Sequence, residues 1–201
     1  MALFLYASLL FSQPGKLNLR FAPLALGDIY SGACIRGGAE IKVIENWSVS
    51  LEAGHYLNNF NGMKQIKGIL TDLMVRRYFS SLDSASQIYF SINYTFKKQS
   101  FNYHDSILTI LPYFVGYQTR KLINCINLNI GYYKVLKKRI LLDAYAGVGI
   151  RMKVVDSTLT DSEFDKAKEY NDSQSLYFMV TPGKFFWPNL NLGIRVGYVI
   201  Y

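Results

Sequence analysis

The stretch NLNLGIRVGYVIY, residues 189–201, decides the fold class of this chain of 201 residues. Large apolar side chains occupy every second position, and asparagine, glycine and arginine fill the positions between them. A period of two indicates a β-strand whose faces meet different environments, because successive side chains point to opposite sides of a sheet. We therefore predict a strand here, and the same alternation recurs along most of the chain.

Eight segments are predicted to be strands, and the connections between them alternate in length. The strands cover residues 16–24, 33–44, 47–57, 66–79, 87–98, 115–134, 139–153 and 189–201. The short connections are 45–46, 80–86 and 136–138, and the long ones are 58–65, 99–114 and 154–188. Short turns at one rim and long loops at the other are typical of outer-membrane barrels. We predict an all-β fold, an eight-stranded antiparallel up-and-down transmembrane barrel, with both termini in the periplasm.

The composition agrees with a single strand-rich domain at a membrane. Half of the residues are hydrophobic, and the 16 tyrosines and 13 phenylalanines dominate the aromatic fraction of 15%. Aromatic residues are enriched in strands and at membrane interfaces. The net charge is +8, but no basic helix or aromatic-plus-basic motif indicates nucleic-acid binding. We interpret the two cysteines, Cys34 and Cys125, as packing residues.

The N-terminus carries the longest apolar run, ALFLYASLLF at residues 2–11, which shows no alternation. It is shorter than the ~18 residues that a spanning helix needs, and it fits the hydrophobic region of a signal peptide. We predict that residues 1–13 are a signal peptide and that residues 14–201 form one outer-membrane barrel domain. The alternative is that this run is a buried first strand.

The orientation of the two strand faces decides where the barrel resides. One parity carries the glycines and nearly all strand charges: Arg20, Arg36, Glu40, Lys42, Glu52, Asp72, Arg76, Asp143, Arg151 and Arg195. An eight-stranded barrel is only wide enough inside for its own side chains, so the glycine-rich set fits there and the bulky apolar set does not. Charges facing lipid would each cost ~2–4 kcal/mol near the midplane. We predict charges inside and apolar side chains in lipid. A soluble lipocalin-like barrel would invert the faces, and alternation alone leaves that alternative open.

The interior charges form the main candidate site. We predict a structural charge network of Arg20, Arg36, Glu40, Glu52, Asp72, Arg76, Asp143, Arg151 and Arg195. Opposite signs are interspersed, so the groups can pair, and unpaired buried charges would be costly. A salt-bridged plug is favoured over an ion path, because eight strands leave no wide channel.

Basic residues mark the predicted outer rim and are candidates for contacts with lipopolysaccharide phosphates. They are Lys97, Lys98, Arg120, Lys121, Lys153 and Lys184, with Lys64 and Lys67 nearby. The alternative is ordinary solvated charge. The long loops could dock a partner through Phe178, Phe185, Phe186 and Trp187, or these aromatics could belong to an interfacial girdle.

Catalytic machinery is not evident in the sequence. His55 lies on the predicted lipid-facing parity, and His104 precedes Asp105 and Ser106 in a predicted loop. Base and nucleophile motifs such as GxSxG and HExxH are absent from the sequence, as are a P-loop and a paired-cysteine metal site. We predict that the protein is not an enzyme and has no catalytic, cofactor-binding or metal-binding residues.

Four segments carry a resemblance to a known family: GGAEIKVIENWSVSLEAGHY (37–56), RRYF (76–79), LDAYAGVGIRMK (142–153) and NLGIRVGYVIY (191–201). They resemble the small outer-membrane barrel proteins of the Bacteroidetes group, which share the OmpA/OmpX-type eight-stranded architecture. The matching features are Gly-x-Glu before a tight turn and Trp-Ser-Val, then Asp-x-Tyr-x-Gly-x-Gly-x-Arg and a closing aromatic strand. The resemblance implies an outer-membrane barrel and transfers no functional residue.

These observations together lead to an expected function. We expect a non-enzymatic integral barrel of the bacterial outer membrane, acting as a scaffold or as an accessory subunit of a larger envelope complex. Its expected partners are outer-membrane lipid, lipopolysaccharide and proteins of that complex, without nucleic acid or cofactor. The alternatives are a narrow ion or solute channel and a lipid-modifying outer-membrane enzyme.

Overall fold

A computed structural model describes residues 17–23, 33–44, 46–57, 64–79, 86–107, 113–137, 139–160 and 181–200. Its strands are β1 (Leu17–Phe21), β2 (Cys34–Ile44), β3 (Trp47–Tyr56), β4 (Lys64–Tyr78), β5 (Ser86–Ile107), β6 (Tyr113–Leu136), β7 (Ile140–Ser157) and β8 (Gly183–Ile200). Each strand pairs antiparallel with the next, and β1 pairs with β8 to close the barrel. The predicted fold class is confirmed. The predicted signal peptide, residues 1–13, lies outside the described residues.

The two ends of the barrel differ in the length of chain that joins the strands. At one end, here named the turn rim, β2 connects to β3, β4 to β5 and β6 to β7. Asn46 and Lys137, in two of these turns, have φ values of 63° and 48°, a left-handed conformation common in tight turns. The other end, the loop rim, carries the longer connections. The first residue of β1 and the last of β8 lie at the turn rim.

The strands on the loop side are longer than predicted. The β5–β6 ladder continues to the pair Ile107 and Tyr113, so most of the predicted loop 99–114 is strand. Likewise β7 runs to Ser157 and β8 starts at Gly183, which shortens the predicted loop 154–188. At these loop-side strand ends, polar and aromatic residues occur on both parities. The sequence therefore loses its alternation although the backbone hydrogen-bond ladder continues. His104 to Ser106 and Phe185 to Trp187 therefore lie on strands, not in loops.

Burial alternates along each strand and identifies the inner face. On β4, for example, Asp72, Met74 and Arg76 are buried, while Leu73 and Val75 between them are exposed. Exposed apolar side chains cover the outside, among them Leu51, Ile69, Ile92, Ile126, Ile130, Val148, Leu190 and Leu192. The charged parity thus faces inward, as the volume argument predicts, and the inverted arrangement of a lipocalin-like barrel is wrong for this chain. Among the described residues, no helix is long and apolar enough to cross a membrane.

Glycines make room for the large interior side chains. A Cβ atom on Gly131 would lie 2.1 Å from the Tyr89 ring, and one on Gly193 would lie 2.2 Å from the Tyr145 hydroxyl. Both distances are too short for real atoms, so these rings occupy space that only glycine leaves open. The shared parity of glycine and charge therefore reflects one crowded interior.

Candidate functional site: the interior of the barrel

The centre of the interior is an ion-pair network with equal numbers of cations and anions. Its members are four guanidiniums, of Arg20, Arg36, Arg76 and Arg195, and four carboxylates, of Glu40, Glu52, Asp72 and Asp143. All eight belong to the predicted set, and six strands supply them. The network as a unit is neutral when every member is ionised.

Glu40 and Asp143 are the two acceptors nearest the turn rim. The Glu40 carboxylate contacts the Arg20 guanidinium and accepts hydrogen bonds from Ser48 at 2.5 Å and Tyr78 at 2.8 Å. Asp143 accepts from Arg20 at 2.9 Å and from the Tyr89 hydroxyl at 2.6 Å. Charge-assisted bonds of this kind are stronger than neutral ones, and they satisfy carboxylates that water does not reach.

Several contacts of the network cross the interior instead of joining neighbouring strands. Arg76 on β4 lies 3.0 Å from Asp143 on β7, and Arg195 on β8 lies 2.5 Å from Glu52 on β3. Arg36 on β2 donates to Asp72 on β4 at 2.7 Å, and also to Glu52 on the neighbouring β3 at 2.5 Å. The pairs between strands that are not neighbours tie separate parts of the barrel wall together.

Arg195 is held more by charge and by an aromatic ring than by aligned hydrogen bonds. Its side chain is fully buried, and its guanidinium nitrogens lack an aligned hydrogen-bond partner among the described residues. The guanidinium lies 4.0 Å from the centre of the Tyr145 ring, in addition to its close approach to Glu52. A cation over a ring is stabilised by the ring quadrupole, and more so when it is desolvated.

An aromatic floor lies below the network at the turn rim. Tyr78, Tyr89, Tyr133 and Leu141 pack together there and are all nearly inaccessible to solvent. The Tyr78 ring makes edge contacts with Tyr89 at 5.6 Å and with Tyr133 at 5.8 Å between centroids. The Tyr78 and Tyr89 hydroxyls also bind network carboxylates, so the floor and the network are one connected unit.

Side-chain amides extend this polar core towards the loop rim. Asn129 donates to Asn93 at 3.0 Å, and Asn191 donates to Asn129 at 2.7 Å. Asn189 donates to Asn127 at 2.5 Å, and Asn93 also binds Asp72. Sequence reasoning missed these residues because it followed charge alone. Their place on the interior parity was the signal that could have found them.

Arg151 faces the interior but stands apart from the network. It pairs in register with Cys125 and Trp187, nearer the loop rim than the network carboxylates. Its Nε atom is buried without a hydrogen-bond partner among the described residues. Its predicted membership of the charge network is therefore not supported by the ion pairs of the described residues.

The basic residues predicted for lipopolysaccharide contacts divide between the two faces. Lys98, Arg120 and Lys184 are exposed on the outside. Lys97 and Lys121 are instead buried on the interior face, and Lys153 is half-buried there beside Phe185. The predicted lipopolysaccharide contacts do not fit these three lysines. They lie towards the loop rim, but they stand on the inward parity of their strands, so their side chains face the interior.

Catalytic and metal-binding geometry is not evident in the described part of the chain. The His55 side chain is exposed on the outer face, and the side chain of His104 lies outside the described residues. Among the described residues, no group of three or more His, Cys, Asp or Glu side chains could hold a metal ion. Cys34 and Cys125 are buried, separate thiols.

Comparison with known proteins finds one matching family and two similar structures. The family model described as "Protein of unknown function (DUF3575)" matches residues 28–185. The N-terminal β-barrel domain of Pseudomonas aeruginosa OprF is 11% identical, with a TM-score of 0.44. A major outer membrane protein from Thermus thermophilus is 14% identical, with a TM-score of 0.47. Each comparison covers 94% of this chain and 100% of the other. No curated protein matches.

Proposed function

The chain belongs to the family described as a protein of unknown function (DUF3575), and we propose that it is a non-enzymatic integral barrel of the bacterial outer membrane. We also propose that its own side chains close its interior, so that it acts as a scaffold or as an accessory subunit of an envelope complex. The observation that carries the closure is the set of ion pairs that cross the barrel between strands that are not neighbours.

The outer surface supports the membrane location. Val148, Leu190 and Ile130 are each more than 60% exposed, which a water-soluble surface would not favour for a whole band of such residues. A closed barrel leaves no unpaired strand edge, so it satisfies the backbone inside a bilayer. At the turn rim, Arg77 lies over the Trp47 ring, and Arg139 donates to the Tyr198 hydroxyl at 2.7 Å. Such aromatic and basic pairs suit the headgroup region.

The membrane location is tested by placing an arginine on the outer face at two different depths and comparing the losses of stability. Leu128 lies in the middle of β6 and faces outward, whereas Ile44 faces outward at the turn-rim end of β2. Leu128→Arg should lower the free energy of unfolding in lipid vesicles by ~2–4 kcal/mol, and the control Ile44→Arg by ~0–1 kcal/mol, because only the first charge enters the hydrocarbon. Both losses are measured by titrating the protein with urea and determining the folded fraction at each concentration from the heat-induced gel shift. Equal effects would contradict the membrane location.

The size and chemistry of the interior support closure. An eight-stranded barrel encloses only enough space for its side chains, and here arginines, tyrosines and amides fill it. Each carboxylate of the network has a guanidinium within 2.9 Å, so a permeating ion would have to break charge-assisted bonds in a water-poor space. A structural role for the network therefore fits better than conduction.

Electrical recording separates this proposal from the channel alternative. We expect the wild-type chain to give no single-channel steps in a planar bilayer, with the heat-induced gel shift as the check that it is folded. Steady conductance that is lost in Arg36→Ala or Glu52→Ala would contradict closure and favour a narrow ion path through the network.

We also propose that the exposed cations near the loop rim bind lipopolysaccharide on the outside of the barrel. Lys98 on β5 and Lys184 on β8 lie in one row of the sheet, separated by Leu122 and Val154. The row spans roughly 14 Å at ~4.8 Å per strand, above the apolar band. Lys98→Ala with Lys184→Ala should weaken binding of lipopolysaccharide, whereas the inward-facing Lys97→Ala should leave that binding intact. Equal losses would contradict the contact.

The scaffold or accessory role is tested by the size of the native particle. We expect extraction in a mild detergent to give a complex larger than one barrel in its micelle, measured by native mass spectrometry. A particle that contains one barrel alone would contradict the accessory role. Activity on membrane lipids that persists in purified protein would contradict the non-enzymatic proposal.

A further inference from the structure

We propose that Arg77, with the Trp47 ring beside it, is a binding site for the phosphate of an anionic phospholipid in the leaflet that surrounds the turn rim. This inference rests on the membrane location proposed above. It adds a lipid site at the rim opposite to the proposed lipopolysaccharide contact, and it does not depend on the partners of the barrel or on its lack of conduction.

Arg77 is a cation on the outward face of β4, where its neighbours on the same face are apolar. Burial alternates to the end of this strand, so Arg76 is buried and Arg77 is exposed. The outward residues before and after it, Val75 and Phe79, are both exposed apolar side chains. Arg77 therefore places a charge at the edge of the apolar surface that faces lipid.

Aromatic side chains flank Arg77 on both neighbouring strands. Arg77 lies opposite Trp47 on β3 and opposite Phe90 on β5, and its guanidinium lies 5.8 Å from the centre of the Trp47 ring. Nearer the turn rim are Phe79 and Ile88, which are exposed and joined by a backbone hydrogen bond. An aromatic ring attracts a cation through its quadrupole, but it has no net charge with which to neutralise it.

The carboxylates of the described residues lie away from Arg77. The four carboxylates of the network face the interior and pair with its guanidiniums. The other two acidic residues of the described ranges, Asp105 and Asp156, lie on the loop side of β5 and β7. Among the described residues, no ion pair includes Arg77. Its counter-ion therefore comes from outside the barrel.

A phospholipid phosphate matches the chemistry of these neighbours. A guanidinium presents parallel N–H donors that fit two oxygens of one phosphate, and it can do so while it stacks on an aromatic face. A long basic side chain at the end of an apolar face reaches the head-group layer, where the phosphates lie. The acyl chains of the same lipid would lie against Phe79, Ile88 and the apolar band.

The net charge of the head group decides which phospholipid the site prefers. Phosphatidylcholine carries its own cation, which repels Arg77 and cancels the charge of its phosphate. Phosphatidylglycerol carries only the negative charge. A single basic residue near an anionic membrane surface favours the anionic lipid by about fivefold.

Trp47 reports on the lipid beside Arg77, because the chain has only two tryptophans, Trp47 and Trp187. Trp187 lies on β8 near the loop rim, so Trp187→Phe leaves one indole, at the proposed site. The full-length variant is folded into phosphatidylcholine vesicles that contain brominated phosphatidylcholine or brominated phosphatidylglycerol, since bromine quenches a nearby indole. At equal mole fractions, we expect the quenching curves to give a preference of about fivefold for phosphatidylglycerol.

Two substitutions in the Trp187→Phe chain assign this preference to the guanidinium. Arg77→Gln should bring the two quenching curves together, and Arg77→Lys should keep part of the preference, because an ammonium retains the charge but not the parallel donors. The matched control is Lys137→Gln, which removes an exposed cation from the turn after β6. It should leave the preference within about twofold, since screened surface charges contribute little.

The outcomes separate failure of the site from failure of the membrane location. Equal quenching by the two lipids in the Trp187→Phe chain would overturn the site and leave the membrane location intact. A preference that survives in Arg77→Gln, or that is lost equally in Lys137→Gln, would also overturn the site. No quenching by either lipid would overturn the membrane location together with the site.

A second measurement applies if Trp187→Phe does not fold, as judged by the heat-induced gel shift. The wild type and Arg77→Gln are extracted in a mild detergent from vesicles with equal amounts of both lipids, and the retained lipids are counted by native mass spectrometry. We expect the wild type to retain more phosphatidylglycerol than Arg77→Gln does. Equal retention would overturn the site.

Discussion

The lower and upper parts of the lumen use the same kind of side chain for different ends. In the lower lumen, formed by the ion-pair network and the aromatic floor, four arginines meet four carboxylates across the barrel. In the upper lumen, defined as the interior around Lys97, Lys121, Arg151 and Lys153, the cations lie on three adjacent strands, and Lys121 and Lys153 lie beside aromatic rings. An ion pair across the barrel needs charges of both signs at one level of the interior, and in the lower lumen strands that are not neighbours supply them. Paired charge of this kind stabilises the barrel, because each buried ion meets an opposite one.

The largest expected effect comes from unbalancing the lower lumen. Asp143→Asn removes the charge that meets Arg20 at 2.9 Å and Arg76 at 3.0 Å, leaving buried guanidiniums with too little negative charge. Breaking a buried ion pair from one side typically costs ~3–5 kcal/mol. The free energy of unfolding in urea, followed by tyrosine fluorescence in lipid vesicles, should fall by that amount. A loss below ~1 kcal/mol would show that the network does not hold the barrel.

A second substitution that restores neutrality tests whether the balance of charge stabilises the lower lumen. Arg20→Met in the Asp143→Asn background returns the network to equal numbers of opposite charges. We expect the double variant to recover part of the lost stability, because an unpaired buried charge costs more than a missing pair. Further loss in the double variant would mean that the individual contacts matter more than the balance of charge.

A smaller effect is expected from filling the space next to Tyr145. Gly193→Ala would place a Cβ atom 2.2 Å from the Tyr145 hydroxyl and so displace the ring that lies under Arg195. Overpacking of this kind costs ~1–3 kcal/mol in the free energy of unfolding. The control is Gly37→Ala, whose Cβ would meet its nearest atom, the Arg20 carbonyl oxygen, at 3.2 Å and should cost less. Urea titration of both variants measures the difference, and equal losses would contradict the crowding.

The smallest expected effect on stability comes from the upper lumen. Lys97→Gln should change the free energy of unfolding by less than ~1 kcal/mol, because it relieves like-charge repulsion while giving up the contacts of one ammonium. Urea titration in lipid vesicles measures the change. A large loss of stability would make Lys97 a structural residue and erase the contrast between the two parts of the lumen.

The sequence predicted the strand faces well because a barrel wall has a strict period of two. The parity of residues 189–201, with Arg195 among its polar positions, was enough to place that arginine inside, where it is fully buried. Strand ends were predicted less well. Beyond the apolar band the outer face is polar, so the alternation that marks β5 up to Lys98 fades, although its ladder with β6 continues to Ile107.

The sequence predicted which charged residues face the interior but not which of them form ion pairs with one another. Charge on the interior parity identified all eight network members, yet nothing in the spacing showed that Arg76 meets Asp143 or that Arg195 meets Glu52. The inward direction of Lys97, Lys121 and Lys153 was missed although each lies inside a predicted strand, because the basic residues were grouped by their place at the rim and not by parity. Lys97 and Lys98 are adjacent in sequence, and the period of two sends one inward and the other outward.

The sequence by itself determined that this chain forms strands with one bulky apolar face and one face of glycine and charge. Local chemistry suffices for that, because alternation and side-chain volume are properties of neighbouring residues. Only the tertiary structure decided which charges meet, where the floor lies and which cations join the network. Those outcomes depend on ring closure and register, which bring together residues more than a hundred positions apart, such as Arg20 and Asp143.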